Sequence, residues 1–178
     1  GKADRGDVHS KKLSFDLGDL VILNNSDGER KVSIVATGSM LEMGMKLCKS
    51  FPSLGLVSVP SLKPINKNQV SELCKSNDCL ITLEEHSIFG GLGSIFCEIA
   101  SSFSNIEIHK IGIQDRFSEY CGTYEYLLQE HKIDLESLKT EIASILWTNI
   151  FFAKLNKEEL AIKWILLFLE LPAKLPRD

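Results

Sequence analysis

Apolar residues along this chain recur in two patterns, short unbroken runs and helical spacings, and the two alternate. Leu20-Val21-Ile22-Leu23 is a short run followed by Asn24-Asn25-Ser26-Asp27-Gly28, which predicts a strand and then a turn. Val32, Ile34 and Val35 make Lys31–Ala36 a strand. Thr37-Gly38-Ser39 then turns the chain. Ser39, with Glu42 three positions on, has the form of a capping box, and a helix follows to about Ser50. Met40, Leu41, Met45, Leu47 and Cys48 are available for its buried face. The grammar repeats with a strand at Leu56–Val59, ended by Pro60 and Pro64, and a helix at Asn68–Ser76 with Val70, Leu73 and Cys74 on one side. Cys79–Leu83 is an apolar strand closing on Glu84-Glu85-His86, and Gly90-Gly91-Leu92-Gly93-Ser94 feeds a helix through Ser101. Ile106–Ile113 is a further strand. Helices are predicted over 123–130 and 134–148, opened by Thr123 and Asp134 as caps.

Strands alternating with helices imply an α/β fold, a largely parallel sheet covered on both faces. Three regions are expected: a polar, basic linker or upstream tail at 1–12, one domain over 13–148, and an extra helical tail at 149–178. The tail is strongly apolar between Lys154 and Glu170 and is stopped by Pro172 and Pro176. On a helix, Trp164, Ile165, Phe168 and Leu169 form one stripe, so residues 155–170 are expected to dock on another chain or on a missing domain.

Composition removes several classes of function. The chain has 178 residues, 44% hydrophobic and 25% charged, which suits one domain with a self-sufficient core. The net charge of −4 lacks the basic excess of a general nucleic-acid binder. The longest fully apolar run, Trp164–Leu169, is six residues, whereas a membrane span needs about twenty. No leader pattern is present in the polar N-terminus, so a cytoplasmic, soluble protein is expected. A chain that starts at Gly1 is expected to be a processed or excised piece of a longer one. The five cysteines (48, 74, 79, 97, 121) and four histidines (9, 86, 109, 131) contain no short ligand pair of the zinc kind, and buried reduced thiols are expected.

Chemistry concentrates at Glu84-Glu85-His86 and the glycine loop behind it. In an open α/β sheet, ligands gather at the carboxyl ends of strands. Bare amides at a helix start hold anions. One reading is therefore an anion site lined by Gly90, Gly91, Gly93 and Ser94, with His86 able to donate a proton. The other is that the glycines permit a tight turn and close helix packing, with Ser94 as a cap. The spacing Gly-Gly-x-Gly, with neither a dinucleotide fingerprint nor a Walker pattern, favours packing. Glu84 and Glu85 are adjacent on a strand end and so point to opposite faces, which suits an interface better than an acid/base pair. Ser39 lacks the flanking pattern of a nucleophile elbow. Asp115-Arg116-Phe117 reads as a loop that could meet an interface.

Five blocks together carry a resemblance: Val32–Met40, Val57–Asn66, Ile81–His86, Gly90–Ser94 and Ile111–Phe117. In order and spacing they look like the C-terminal domain of the transketolase family, which includes deoxyxylulose-phosphate synthases and the beta subunits of 2-oxoacid dehydrogenases. The Glu-Glu-His with Gly-Gly-x-Gly-Ser is most similar to split transketolase C-terminal subunits. The resemblance implies a three-layer α/β/α sandwich with a five-stranded, mostly parallel mixed sheet, one strand antiparallel. It implies an intact enzyme that uses thiamine diphosphate and a divalent metal such as Mg to move a two-carbon ketol unit between sugar phosphates. Its Gly-Asp-Gly…Asn motif and its activating glutamate are not matched in this chain. No catalytic, cofactor or metal residue is therefore assigned here, and Glu84, Glu85, His86, Gly90, Gly91, Gly93 and Ser94 are left as an anion or domain-interface site. The expected partners are the catalytic domains or N-terminal subunit of the same enzyme and further copies of the chain, with no nucleic acid or membrane.

Overall fold

A computed structural model describes residues 15–102 and 106–154, and the chain divides into two compact units, 1–140 and 141–178. The first unit is built on five strands: β1 (Val21–Asn24), β2 (Val32–Ala36), β3 (Gly55–Ser58), β4 (Cys79–Ser87) and β5 (Glu107–Ile113). They lie in the order β1-β3-β2-β4-β5, with β1 antiparallel to β3 and every other pair parallel. The helices are α1 (Met40–Ser50), α2 (Lys67–Ser76), α3 (Leu92–Ala100), α4 (Tyr124–Glu130) and α5 (Leu135–Lys154).

Strand alternation sorts the core into two faces. Ile34 pairs with Leu56 on one side and Ile81 on the other, and this face meets α1. Gly44 of α1 sits so close that an added Cβ would touch Leu56, Ile34 and Ala36. Val35, Val57 and Leu80 point the opposite way, into a cluster with Val70, Leu73 and Cys74 of α2 and Leu92 and Phe96 of α3. The expected three-layer α/β/α sandwich is the fold.

Two of the expected caps form: Thr123 accepts from the Tyr126 amide, and Asp134 from those of Glu136 and Ser137. A third, Asn66 accepting from the Gln69 amide, caps α2, for which the sequence pattern indicates no cap. The capping box at α1 does not form. Ser39 is already in a helical conformation, its hydroxyl makes no cap hydrogen bond, and Glu42 pairs with Lys46 one turn on. The hydroxyl donates to the Glu85 carboxylate, a strong charge-assisted acceptor.

β4 also runs past its expected end at Leu83. Between the pairs Leu83–Ile111 and Ser87–Ile113, three residues of β4 face only Gly112 of β5, a bulge that bends the strand end. A side chain at 112 would meet the His86 carbonyl at 2.8 Å and Glu84 at 3.1 Å, so only glycine fits opposite the bulge. α5 extends to Lys154, beyond the expected end at 148. The linker expected at 1–12 and the docking helix expected at 155–170 lie outside the described residues. Among the described residues no helix is long and apolar enough to cross a membrane.

None of the five cysteines is in a disulfide; Cys74 and Cys79 are buried, Cys48 and Cys97 half-buried, and Cys121 exposed. Burial pushes the Cys48 thiol up to about 11, and burial, then the neighbouring Cys97, does the same for Cys74. The thiolate is the reactive form, so at mildly alkaline pH these two carry roughly a hundredfold less of it than an ordinary cysteine. Iodoacetamide should therefore modify Cys121 well before Cys48 or Cys74. Peptide mapping of a time course checks this, and equal rates at the three positions would contradict the described burial.

Candidate functional site

The carboxyl ends of β2 and β4 and the two helix starts beyond them surround a shallow cleft of about 220 Å³, lined by Thr37, Gly38, Ser39, Leu62, Glu84, Glu85, His86, Gly90 and Gly91. Its volume is below the ~300 Å³ usual at the small end of ligand pockets. Thr37 closes one wall, its amide donating to Leu83 and its hydroxyl to the Val59 carbonyl.

The two glutamates part as the strand alternation requires. Glu84 is only 1% exposed and turns to the α3 side of the sheet. One carboxylate oxygen accepts from the Leu92 amide at 2.7 Å and the other from the Gly93 amide at 2.9 Å. These are among the first amides of α3, which have no partner within the helix. The N-terminal residue of that helix, Gly91, offers no side-chain cap, so Glu84 supplies the cap from a neighbouring strand and places its charge against the positive end of the helix dipole. The two amides that an outside anion would meet are thus already bonded to a carboxylate of the chain itself.

The glycine loop makes this approach possible. A Cβ on Gly91 would fall inside van der Waals contact with the Glu84 carboxylate, and one on Gly93 would lie 2.6 Å from both Thr82 Oγ1 and the Lys110 stem. Gly90 turns the chain with φ +76°, a conformation that costs an L side chain about 1–2 kcal/mol. Ser94 does not cap the helix. Its hydroxyl accepts from the Gly90 amide and donates to the Ile88 carbonyl, which ties the loop across its own mouth. Lys110 adds a bond to the same carbonyl and lies 5.3 Å from the Phe89 ring centre.

Glu85 is exposed and faces the α1 side. One oxygen, Oε2, accepts from both Ser39 Oγ and the Tyr124 hydroxyl, the latter at 2.8 Å. It therefore joins the start of α1, the end of β4 and the start of α4. Tyr124 escaped the sequence reading because nothing in its local pattern relates it to a residue 39 positions earlier. His86 is largely exposed; its Nδ1 lies 2.9 Å from the Ser87 carbonyl and 4.0 Å from Glu84 Oε2. Among the described residues no histidine bonds Ser39, whose hydroxyl donates to Glu85, so the pair braces the fold rather than forming a nucleophile with its base.

The loop after β5 leads into Tyr124 and is tied to the end of α4. Arg116 bonds Glu130 through both the side chain, at 3.2 Å, and the backbone carbonyl. The Glu119 amide donates to Glu130 as well, and this bond first, then Arg116, holds the Glu130 carboxyl below the usual carboxylate range. Between these anchors Phe117 is 97% exposed and Tyr120 is 65% exposed.

A family model described as the transketolase C-terminal domain matches residues 23–138. A Methanocaldococcus jannaschii protein named "Putative transketolase C-terminal section" is 34% identical over 139 residues, covering 75% of this chain and 42% of that protein. A 1-deoxy-D-xylulose-5-phosphate synthase of Clostridium tetani is 28% identical, over 65% of this chain and 19% of its own length. Among solved structures, one described as a split gene transketolase, inactive beta4 tetramer, superposes with a TM-score of 0.68 at 29% identity, covering 78% of this chain and 46% of that one. The chain spans less than half the length of each of these relatives.

Removal of the internal cap tests its weight. Glu84→Ala orphans two buried amides, and at roughly 1–3 kcal/mol for each unsatisfied group the fold should lose about 2–6 kcal/mol. Gly91→Ala forces the held carboxylate aside and should cost about 1–3 kcal/mol. Both should appear as lowered urea midpoints with unchanged slopes. A Glu84→Ala midpoint equal to that of the parent chain would show that water replaces the carboxylate without loss.

Proposed function

Because the chain belongs to the family of transketolase C-terminal domains, we propose that it is the end domain of a thiamine-diphosphate-dependent enzyme that moves a two-carbon ketol unit between sugar phosphates. In this reading the domain packs against the pyrimidine-binding domain or subunit, supports association of the enzyme's chains, and contributes no catalytic group. It works in the cytoplasm. The observation that carries the reading is the exposed aromatic pair Phe117 and Tyr120, on the loop that Arg116 ties to Glu130 and that leads into Tyr124, the hydroxyl partner of Glu85. Two large aromatics exposed three residues apart on one loop are of the residue type that anchors protein interfaces.

The residues described here do not fit thiamine diphosphate with its metal. The start of α3 at the carboxyl edge of the sheet, where a diphosphate would find amides, is filled by Glu84, and the two carboxylates that line the cleft are already engaged, Glu84 by the Leu92 and Gly93 amides and Glu85 by Ser39 and Tyr124, rather than converging on a hard divalent cation. No step is derived through the cofactor. The same occupancy argues against a small-anion-binding module. Glu85, His86 and Gly90 are then the rim of the interface, while Glu84, Gly91, Gly93 and Ser94 hold the rim in place. The name of the Clostridium tetani relative supports a second reading, in which the same surface serves a deoxyxylulose-phosphate synthase.

Calorimetric titration of the chain with thiamine diphosphate and magnesium should give no saturable heat at millimolar cofactor. Micromolar binding would overturn the assignment of the chain as the non-catalytic end. We further expect the isolated chain to self-associate. Phe117→Ala should weaken that association by about tenfold or more, the scale of an aromatic anchor, while leaving the melting temperature unchanged. Sedimentation of the two chains decides it, and indistinguishable profiles would remove Phe117 from the interface.

A further inference from the structure

At the amino-terminal end of the sheet, far along β4 from Glu84, three ligand-type side chains from two strands come together. Cys79 and Glu107 are direct partners in the β4–β5 register, and His109 lies two residues on from Glu107, opposite Ile81. Two-residue spacing puts Glu107 and His109 on one face of β5, and the register puts Cys79 on that same face. Cys79 Sγ, a Glu107 oxygen and a His109 ring nitrogen all lie within 4.8 Å of one another. His109 Nε2 is 2.7 Å from Glu107 Oε1, and Arg30 holds the other oxygen, Oε2, at 2.7 Å.

We propose that Cys79, Glu107 and His109 form a three-ligand site for a borderline-soft divalent cation of the zinc class. Thiolate, imidazole and carboxylate are the donor set that such ions select over magnesium or calcium. A tetrahedral ion with bonds of about 2.0–2.3 Å needs ligand atoms roughly 3.5 Å apart, so modest rotations of Glu107 and His109, both partly exposed, close the site. His109 exchanges its bond to Glu107 for a bond to the metal, the Cys79 thiol releases its proton to solvent, and water takes the fourth position. Thiolate and carboxylate together cancel the two charges of the ion. Arg30 acts from behind by orienting the carboxylate through the oxygen the metal does not use. No short ligand pair in the sequence announces this site, because Cys79 stands 28 positions before Glu107 and only the parallel register unites them.

Cobalt(II) provides the test on the full chain, since it reports thiolate ligation by a sulfur-to-metal charge-transfer band and tetrahedral geometry by intense visible bands. The parent chain, reduced and freed of metal, should bind one equivalent with both signatures, and zinc should displace it. His109→Gln, a partly exposed position that leaves the fold intact, should weaken binding at least tenfold. Cys79→Ser should abolish the charge-transfer band, and Cys97→Ser should change nothing. If the buried Cys79→Ser variant fails to fold by circular dichroism, His109→Gln decides alone. Absence of the charge-transfer band in the parent chain, or its persistence at full strength and affinity in His109→Gln, overturns the proposal and leaves the cluster as an Arg30–Glu107–His109 charge network.

Discussion

The carboxylate of Glu84 is the constraint on which this end of the fold depends. An α/β sandwich places a helix start behind each parallel strand, and each start presents amides that the helix cannot satisfy. At α3 those amides are buried, so water is a poor partner and an internal acceptor is needed. Glu84 provides it from the strand that precedes the helix, with both oxygens engaged. The glycines at 91 and 93 follow from that choice, because the carboxylate and the sheet lie where their side chains would be. The bulge opposite Gly112 follows too, since it allows β4 to continue through Glu84 while bending toward the loop.

Adjacent glutamates on one strand thereby serve two helices on opposite faces. Glu84 reaches α3 and Glu85 reaches the start of α1, each bringing negative charge to the positive end of a helix. The buried one is a fixed structural bond. The exposed one, shared among Ser39, Tyr124 and solvent, is the one that a neighbouring protein surface can reach.

Much of this was legible in the sequence for definite reasons. Alternating apolar runs and helical spacings marked every strand and helix of the sheet domain, because burial imposes both periods. The caps at Thr123 and Asp134 were the local kind: side chain to amide two or three residues on, visible wherever the right residue precedes an apolar pattern. The Ser39 cap did not form because Ser39 already has helical backbone angles, and its hydroxyl is turned to a distant carboxylate that local spacing does not reveal. The opposed faces of Glu84 and Glu85 followed from strand geometry alone. What each glutamate touches did not, nor did Tyr124, nor the meeting of Cys79 with Glu107 and His109, since all of these depend on which strands become neighbours.

The edges of the sheet bear on how copies of this domain could be joined. β1 has four residues, and its pairing slips between Ile22 and Asn24, which gives a short, irregular border. β5 at the other border carries Glu107 and His109 on one face and Lys110 on the other. Short, irregular or charged border strands are poor templates for a further strand. A hydrogen-bonded ribbon running from one molecule into the next is thus disfavoured at both margins. Any lasting partnership has to be made by side chains projecting from loops and helices, a kind of contact that can be broken and remade without unravelling the sheet.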